Sequence, residues 1–364
     1  MALILTFLGK NGIARSKIAI AAAKLLATQG KKVLLAGLCE PTLPILLQTT
    51  LCADPQEISP NLQAVQFQVS VLLERHWEEV KKLEAQYLRT PIIREVYGQE
   101  LVVLTGMDNA LALNAIREYD ASDKYDVIIY DGTGDTAALR MLGMPESLTW
   151  YIRRFRQLLV NSDLGKNISE SPFIQPLISS LFNVNLTADN FSLPTNQAND
   201  FLEKGTDALA NPSRVAGFLV TTSETIDIAN SRYLWGASQQ VGLTIGGVIV
   251  VNGENTEIAS EFTPLPMSIV PDVNTEWQAL MDALPNFAQQ AIAAPKPIEI
   301  DVHNRQVRLF LPGFDKKQVK LTQVGPEVTV EAGDMRRNIF LPPALSGKPV
   351  TGAKFQNSYL IISF

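Results

Sequence analysis

Gly9-Lys10-Asn11-Gly12-Ile13-Ala14-Arg15-Ser16 follows the apolar run 2–8 and leads into an alanine-rich stretch, 18–27. Strand, glycine-bearing loop and helix is the layout in which backbone N–H groups and a helix N-terminus wrap a phosphate. Against the pattern G-x-x-x-x-G-K-[ST], Gly9 and Ser16 fit, while Ala14 replaces a glycine and Arg15 a lysine. A second basic residue, Lys10, directly follows the first glycine. An ordinary turn between strand and helix could hold the same two glycines, so the rest of the chain has to decide.

Beyond the Gly30-Lys31-Lys32 helix stop, Val33-Leu34-Leu35-Ala36-Gly37 reads as a second buried strand. Glu40-Pro41 lies just past its end, where open α/β sheets place ligand-handling loops. Tyr125-Asp126-Val127-Ile128-Ile129-Tyr130-Asp131 is an apolar strand ending in an aspartate, an acid suited to supporting a Mg²⁺ shell. Leu73, Trp77, Val80, Leu83 and Tyr87 fall at helical spacing and describe a packing helix with a charged outer face.

The composition narrows the classes. The 364 residues are 46% hydrophobic and 19% charged, enough for two or three cores, and carry no apolar run long enough for a transmembrane helix. A net charge of -6 without a basic block argues against a nucleic-acid partner. The start of the chain lacks signal-peptide features, so a cytoplasmic protein is expected. The two cysteines, Cys39 and Cys52, do not make a zinc motif. Neither histidine sits among ligand candidates, and His76 and His303 are each expected as a plain surface or half-buried residue.

The order of these stretches carries a resemblance. Gly9-Lys10-Asn11-Gly12 resembles the deviant phosphate loop G-K-G-G-V-G-K-T of the ArsA and tail-anchored-protein-targeting ATPases. Gly106-Met107-Asp108-Asn109-Ala110-Leu111 is similar to their P-G-M-D-E-A-L stretch. The segment from Asp131 to Leu139-Arg140, then Met144-Pro145-Glu146, is similar in length and ends to D-T-A-P-T-G-H-T-L-R and L-P-E. Strand 214–221 with Ser223-Glu224, strand 246–252 ending in Asn252, and Ile269-Val270-Pro271-Asp272 follow in the family's order.

The resemblance implies an α/β P-loop NTPase with a mostly parallel sheet over 1–290, holding ATP and Mg²⁺ as a homodimer. It implies that Gly9, Lys10, Asn11, Gly12, Ile13, Ala14, Arg15 and Ser16 surround the phosphates, with backbone N–H groups from Asn11 to Ser16 as the cradle and Lys10 reaching the partner's nucleotide. Ser16 and Asp131 would serve Mg²⁺, Glu40 is the nearest equivalent of the water-orienting acid, and Asn252 with Pro271 would border the adenine. Asn252 reads equally well as a turn-forming strand terminator. Arg15 is bulkier than lysine, and Ala14 adds a methyl where the backbone is expected to need room, so slow hydrolysis is expected.

Residues 146–212 break the strand-helix alternation. Leu148, Ile152, Phe155 and Leu159 recur at helical spacing, as do Phe173, Leu177 and Leu181. In related targeting ATPases this region shields a client's transmembrane helix; by periodicity alone it could equally close a core. Membrane contact would be peripheral or transient at most. A small-residue and proline linker is expected over 291–297.

From 298 to 364 the period changes to two, with turns of Gly, Pro and Asn, which describes a β-sandwich. Leu311-Pro312-Gly313-Phe314 and Ala353-Lys354-Phe355-Gln356-Asn357-Ser358-Tyr359-Leu360 resemble the α-crystallin fold of small heat-shock proteins, with Ser358 in place of a glycine. Phe364 directly follows the final strand, without the tail that links small heat-shock subunits into shells, so a docking or client-covering module is expected in place of a shell-former. The pairing resembles a branch of the family associated with photosynthetic bacteria and plastids. Three functions are implied: an ATP-regulated targeting factor or holdase for tail-anchored proteins, a nucleotide-sensing scaffold without hydrolysis, or an arsenite-pump subunit. The last needs a soft thiolate cluster that two cysteines do not supply.

Overall fold

The computed structural model describes residues 1–87, 106–161, 196–253, 257–274 and 276–364. Strands β1 (Leu3–Leu8), β2 (Val33–Leu38), β3 (Gln56–Ser59), β4 (Leu62–Phe67), β5 (Val127–Asp131), β6 (Val215–Thr221), β7 (Ile245–Val251) and β8 (Met267–Val270) form one sheet in the order β3-β4-β2-β5-β1-β6-β7-β8. Every neighbouring pair is parallel except β3 and β4, an antiparallel edge with no counterpart in the sequence reading. β1, β5, β6 and β7 are apolar nearly throughout because helices cover both faces of the sheet.

Helix α1 (Gly12–Thr28) lies on one face. Its Ala19, Ala21, Ala22 and Ala23 are fully buried, and the absence of longer side chains lets the helix sit close on the sheet. The other face carries α4 (Met107–Ala121), α5 (Thr136–Leu142) and α8 (Thr225–Gln240). Helix α3 (Val69–Tyr87) buries Leu73 and Trp77 as its spacing predicts. His76 is buried as well, its Nε2 3.0 Å from Asn114 Nδ2 of α4, deeper than the surface or half-buried position expected.

Helices α6 (Met144–Asn161) and α7 (Asn196–Ala210) flank the expected insert and pack against each other, with Gly205 close to Pro145. Phe173, Leu177 and Leu181 lie outside the described residues. The linker is shorter than expected: Ala291 is fully buried in the helix Phe287–Ala293, leaving 294–297 to cross to the next domain.

The C-terminal chain forms the expected sandwich. One sheet pairs β9 (Ile298–Asp301), β10 (Gln306–Phe310), β15 (Tyr359–Ser363) and β14 (Gly352–Gln356); the other holds β11 (Val319–Val324), β12 (Glu327–Ala332) and β13 (Met335–Phe340). Leu309, Leu311, Val328, Val330, Ile339 and Ile362 meet between them. The sandwich is seated on α8. A Cβ at Gly236 would fall 2.3 Å from Pro312 O, and one at Gly313, whose φ is +76°, 2.4 Å from Arg232 O, so glycine at both positions permits the approach. Trp235 packs edge-on against Phe310 at 5.5 Å and Tyr233 against Phe314 at 5.7 Å.

Candidate functional site

β1 lies between β5 and β6, so the loops leaving their C-terminal ends converge. Gly9 follows β1 where a Cβ would lie 2.2 Å from Val220 O of β6, and its N–H donates to Gly134 O at 2.9 Å. Asn11 caps α1, its Oδ1 accepting from Ala14 N at 3.1 Å, and its carbonyl accepts from Arg15 N at 3.0 Å. The cradle is therefore narrower than expected: the N–H groups of Ala14 and Arg15 are already taken, and those of Gly12 and Ile13 are the first-turn donors left over. Ala14 is an ordinary buried helical residue of the core, so its methyl does not intrude on the loop.

Arg15 is turned inward. Its Nη1 donates to Gly9 O at 3.0 Å, its Nη2 to Gly132 O at 2.8 Å, and its Nε lies 3.4 Å from Asp131 Oδ1. One side chain thus ties the loop after β1 to the loop after β5. Gly134, at φ +64°, makes room for it, since a Cβ there would lie 2.4 Å from Arg15 Cδ. Gly132 and Gly134 were not among the residues singled out, although two glycines directly after a strand-ending aspartate are a readable signal.

Burial is the strongest influence on Asp131 and pushes its carboxyl above the ordinary carboxylate range; hydrogen bonds from Ser16 and Arg15 and the nearby guanidinium charge oppose this in part. Glu40 adds a smaller push in the same direction as burial. Glu40 is exposed, and its carbonyl accepts from Gln66 Nε2 at 2.6 Å. Arg15, Ser16, Glu40, Thr42, Asp131 and Gly132 surround a cavity of about 10 Å³, close to the space one water needs.

Lys10 is exposed at the rim, near Asp135. Burial acts against the Asp135 carboxylate, but hydrogen bonds from Thr133 and from Ala137 N, with the Lys10 charge, hold it below the ordinary range. Asp135 is the N-cap of α5. On the other side of β1, β7 and β8 end in register at Val251 and Val270, so Asn252 and Pro271 stand side by side on the same edge of the sheet. Asn252 is exposed and at φ +51°, the left-handed conformation that asparagine tolerates, and its N–H donates to Val270 O at 2.9 Å.

These residues suit a triphosphate and Mg²⁺. Two N–H groups open at a helix N-terminus, an exposed lysine lies beside them, and a hydroxyl and a carboxylate converge within hydrogen-bond reach, as a cation that keeps most of its waters requires. Among the described residues no cluster of three or more His, Cys, Asp or Glu could hold a metal by itself, and no helix is long and apolar enough to cross a membrane.

The profile of the family described as "Anion-transporting ATPase" matches residues 2–277, and that of the "HSP20-like domain found in ArsA" matches residues 303–364. The chain is 24% identical to the "Putative arsenical pump-driving ATPase" of Prosthecochloris vibrioformis, over 99% of this chain and 95% of that one. It is 22% identical to the "Putative arsenical pump-driving ATPase 1" of Aquifex aeolicus, over 99% of each.

Proposed function

This chain belongs to the anion-transporting ATPase family, whose profile covers residues 2–277, and from that premise we propose a homodimeric ATPase of slow turnover that holds or hands over hydrophobic, tail-anchored segments of membrane proteins. The family implies nucleotide binding, and the geometry of the residues above supports that reading. Phosphate oxygens accept from Gly12 and Ile13 N–H at the positive end of α1, with Lys10 adding charge at the rim. Ser16 and Asp131 hold the hydrated Mg²⁺, which supplies charge neutralisation to the triphosphate when bound. Glu40, which lines the same small cavity as Asp131, would orient a water. Asn252 and Pro271 flank the base.

The observation that carries slow turnover is the inward Arg15. The cation that should follow charge onto the transferring phosphoryl group has Nη1 on Gly9 O, Nη2 on Gly132 O and Nε beside Asp131. Loss of one preorganised donor of this kind costs roughly 10²–10³ in rate. The same observation favours a second reading, a sensor that binds nucleotide without splitting it. Phosphate release abolished by Lys10→Ala and by Asp131→Ala supports the enzyme; binding without release supports the sensor; indifference of both binding and release to both changes removes the site.

Dimerisation has support of its own. Ile13, Ile45 and Ile226 are 62%, 69% and 75% exposed, and all three lie on segments leaving the C-terminal ends of the strands around the loop. A second copy placed over the nucleotide would cover them and bring its Lys10 near. Sedimentation with and without ATP and Mg²⁺ tests this, with Ile13→Glu expected to leave monomers. A pump-driving role for this chain, as the relatives' names suggest for them, would need metalloid ligands beyond the exposed Cys39 and Cys52. Residues 146–212, the expected client region, are described at their flanks, and a transmembrane-helix peptide that copurifies with the chain would support the client reading.

A further inference from the structure

The loop after β5 leads without a break into two helices that the C-terminal sandwich grips. From Asp131 the chain passes Gly132 and Gly134, is capped at Asp135, forms α5, turns at Gly143 and forms α6. A Cβ at Gly143 would lie 3.0 Å from Val241 Cγ1, so the joint between α5 and α6 sits hard against the end of α8. Arg140 of α5 pairs with Asp334. Glu146 of α6 pairs with Arg337 at 3.6 Å, and Arg337 Nη1 also donates to Gln239 O at 3.0 Å.

The strongest hold is on Glu327, whose side chain is 13% exposed. Its Oε2 accepts from Trp150 Nε1 at 3.1 Å, and its Oε1 accepts from Arg153 Nε at 3.0 Å and pairs with Nη2 at 2.9 Å. Arg153 further lies over the ring of Phe340, 4.5 Å from its centroid. These anchors bind the two helices to β12, β13 and the turn between them.

The seam is also incompletely satisfied. Among the described residues, Gln239 Oε1 and Gln240 Oε1 are buried without a hydrogen-bond partner, although Gln240 Nε2 reaches Val330 O at 3.5 Å. Buried acceptors left unpaired raise the free energy of the docked arrangement and favour any state that rehydrates them. These two glutamines lie on α8, whose contact with the sandwich is otherwise apolar through Trp235 and Tyr233, whereas the contact on α5 and α6 is charged, as a reversible one is.

We propose that the C-terminal sandwich is a latch on the nucleotide switch: Glu327, Asp334 and Arg337 hold α5 and α6 in the docked position seen here, and nucleotide loosens that hold. This rests on the reading that 9–16 binds ATP. Phosphate and Mg²⁺ that draw on the loop after β1 and on Asp131 shift the loop after β5, which Gly134 O ties to Gly9 N, and α5 carries Arg140 away from Asp334. The coupling is reciprocal, so weakening the latch strengthens nucleotide binding.

The test compares the full chain with Glu327→Ala/Asp334→Ala by calorimetry with ATP and Mg²⁺ and by hydrogen exchange. Asp334→Ala alone, at an exposed position, serves as the variant certain to fold, and Glu299→Gln, within the sandwich, as the control. The double variant should bind about threefold more tightly, the size two weak ion pairs allow. Without nucleotide, it should already show the faster exchange in 144–153 that the unaltered chain shows only with nucleotide. Equal affinities and equal exchange in all four proteins overturn the latch and leave the nucleotide reading standing; no heat from ATP in any of them overturns both.

Discussion

Arg15 Nε lies 3.4 Å from Asp131 Oδ1 with the two side chains only 9% and 4% exposed, and the same guanidinium fastens carbonyls of two different loops. A buried pair of this kind is expensive to break from one side. Arg15→Ala should therefore cost about 3 kcal/mol of stability by chemical denaturation.

Arg15→Lys separates structure from chemistry. An ammonium keeps the charge but cannot span Gly9 O, Gly132 O and Asp131 together. Stability should fall by about 1 kcal/mol through lost hydrogen bonds, while phosphate release should rise, because the cation is no longer spent on the resting loop. A variant equally stable and no faster would show that Arg15 does not restrain turnover.

Asp135 gives a pH-dependent prediction. Its carboxyl is held below the ordinary range, so its contribution is present above the unfolded-state value and is lost as pH falls through the lower folded-state value. Asp135→Ala should cost about 1 kcal/mol at neutral pH, the usual worth of an N-cap, and the difference from the unaltered chain should shrink in acid. Asp135→Asn, which can still accept from Ala137 N, should recover most of the loss. Urea titrations between neutral and strongly acidic pH check both, and a gap that widens in acid would contradict the assignment.

Gly9→Ala tests the seat of the loop. The added methyl meets Val220 O, a backbone atom in the middle of the sheet that cannot swing aside. Overpacking of this kind should cost about 2 kcal/mol and disturb the loop on which nucleotide binding depends. Thermal unfolding and calorimetry on the same sample would show both effects; an unaffected melting point would mean that β1 and β6 separate freely.

Much of this fold is legible in the sequence. Continuous apolar runs marked β1, β2 and β5, and strict alternation marked the sandwich, because burial on two faces or one writes a distinct period. That Asp131 ends a strand and that Ser16 lies just inside the helix after the loop are legible from the sequence. What escaped depends on partners distant in sequence. The inward turn of Arg15 is set by Gly132, 117 positions away, and the burial of His76 by Asn114 on another helix. The last turn of an alanine-rich helix over 291–293 has the same composition as a flexible tether, and only the burial of Ala291 distinguishes them.

The seat of the sandwich had one sign in the sequence, a glycine inside a helix. In an isolated helix Gly236→Ala would be worth about 1 kcal/mol of stabilisation. Here the new Cβ would lie 2.3 Å from Pro312 O and 2.5 Å from Phe314 Cε2, one of them backbone, and overpacking costs about 1–3 kcal/mol. The clash should win, tilting the sandwich off α8 and exposing Trp235 and Phe310. Limited proteolysis should then cut at 294–297 faster than in the unaltered chain, with the freed sandwich intact, since the buried residues of its core all lie within the sandwich and Tyr233 of α8 only packs against them from outside. A more stable and equally resistant protein would mean that helix propensity, and not domain contact, governs this position.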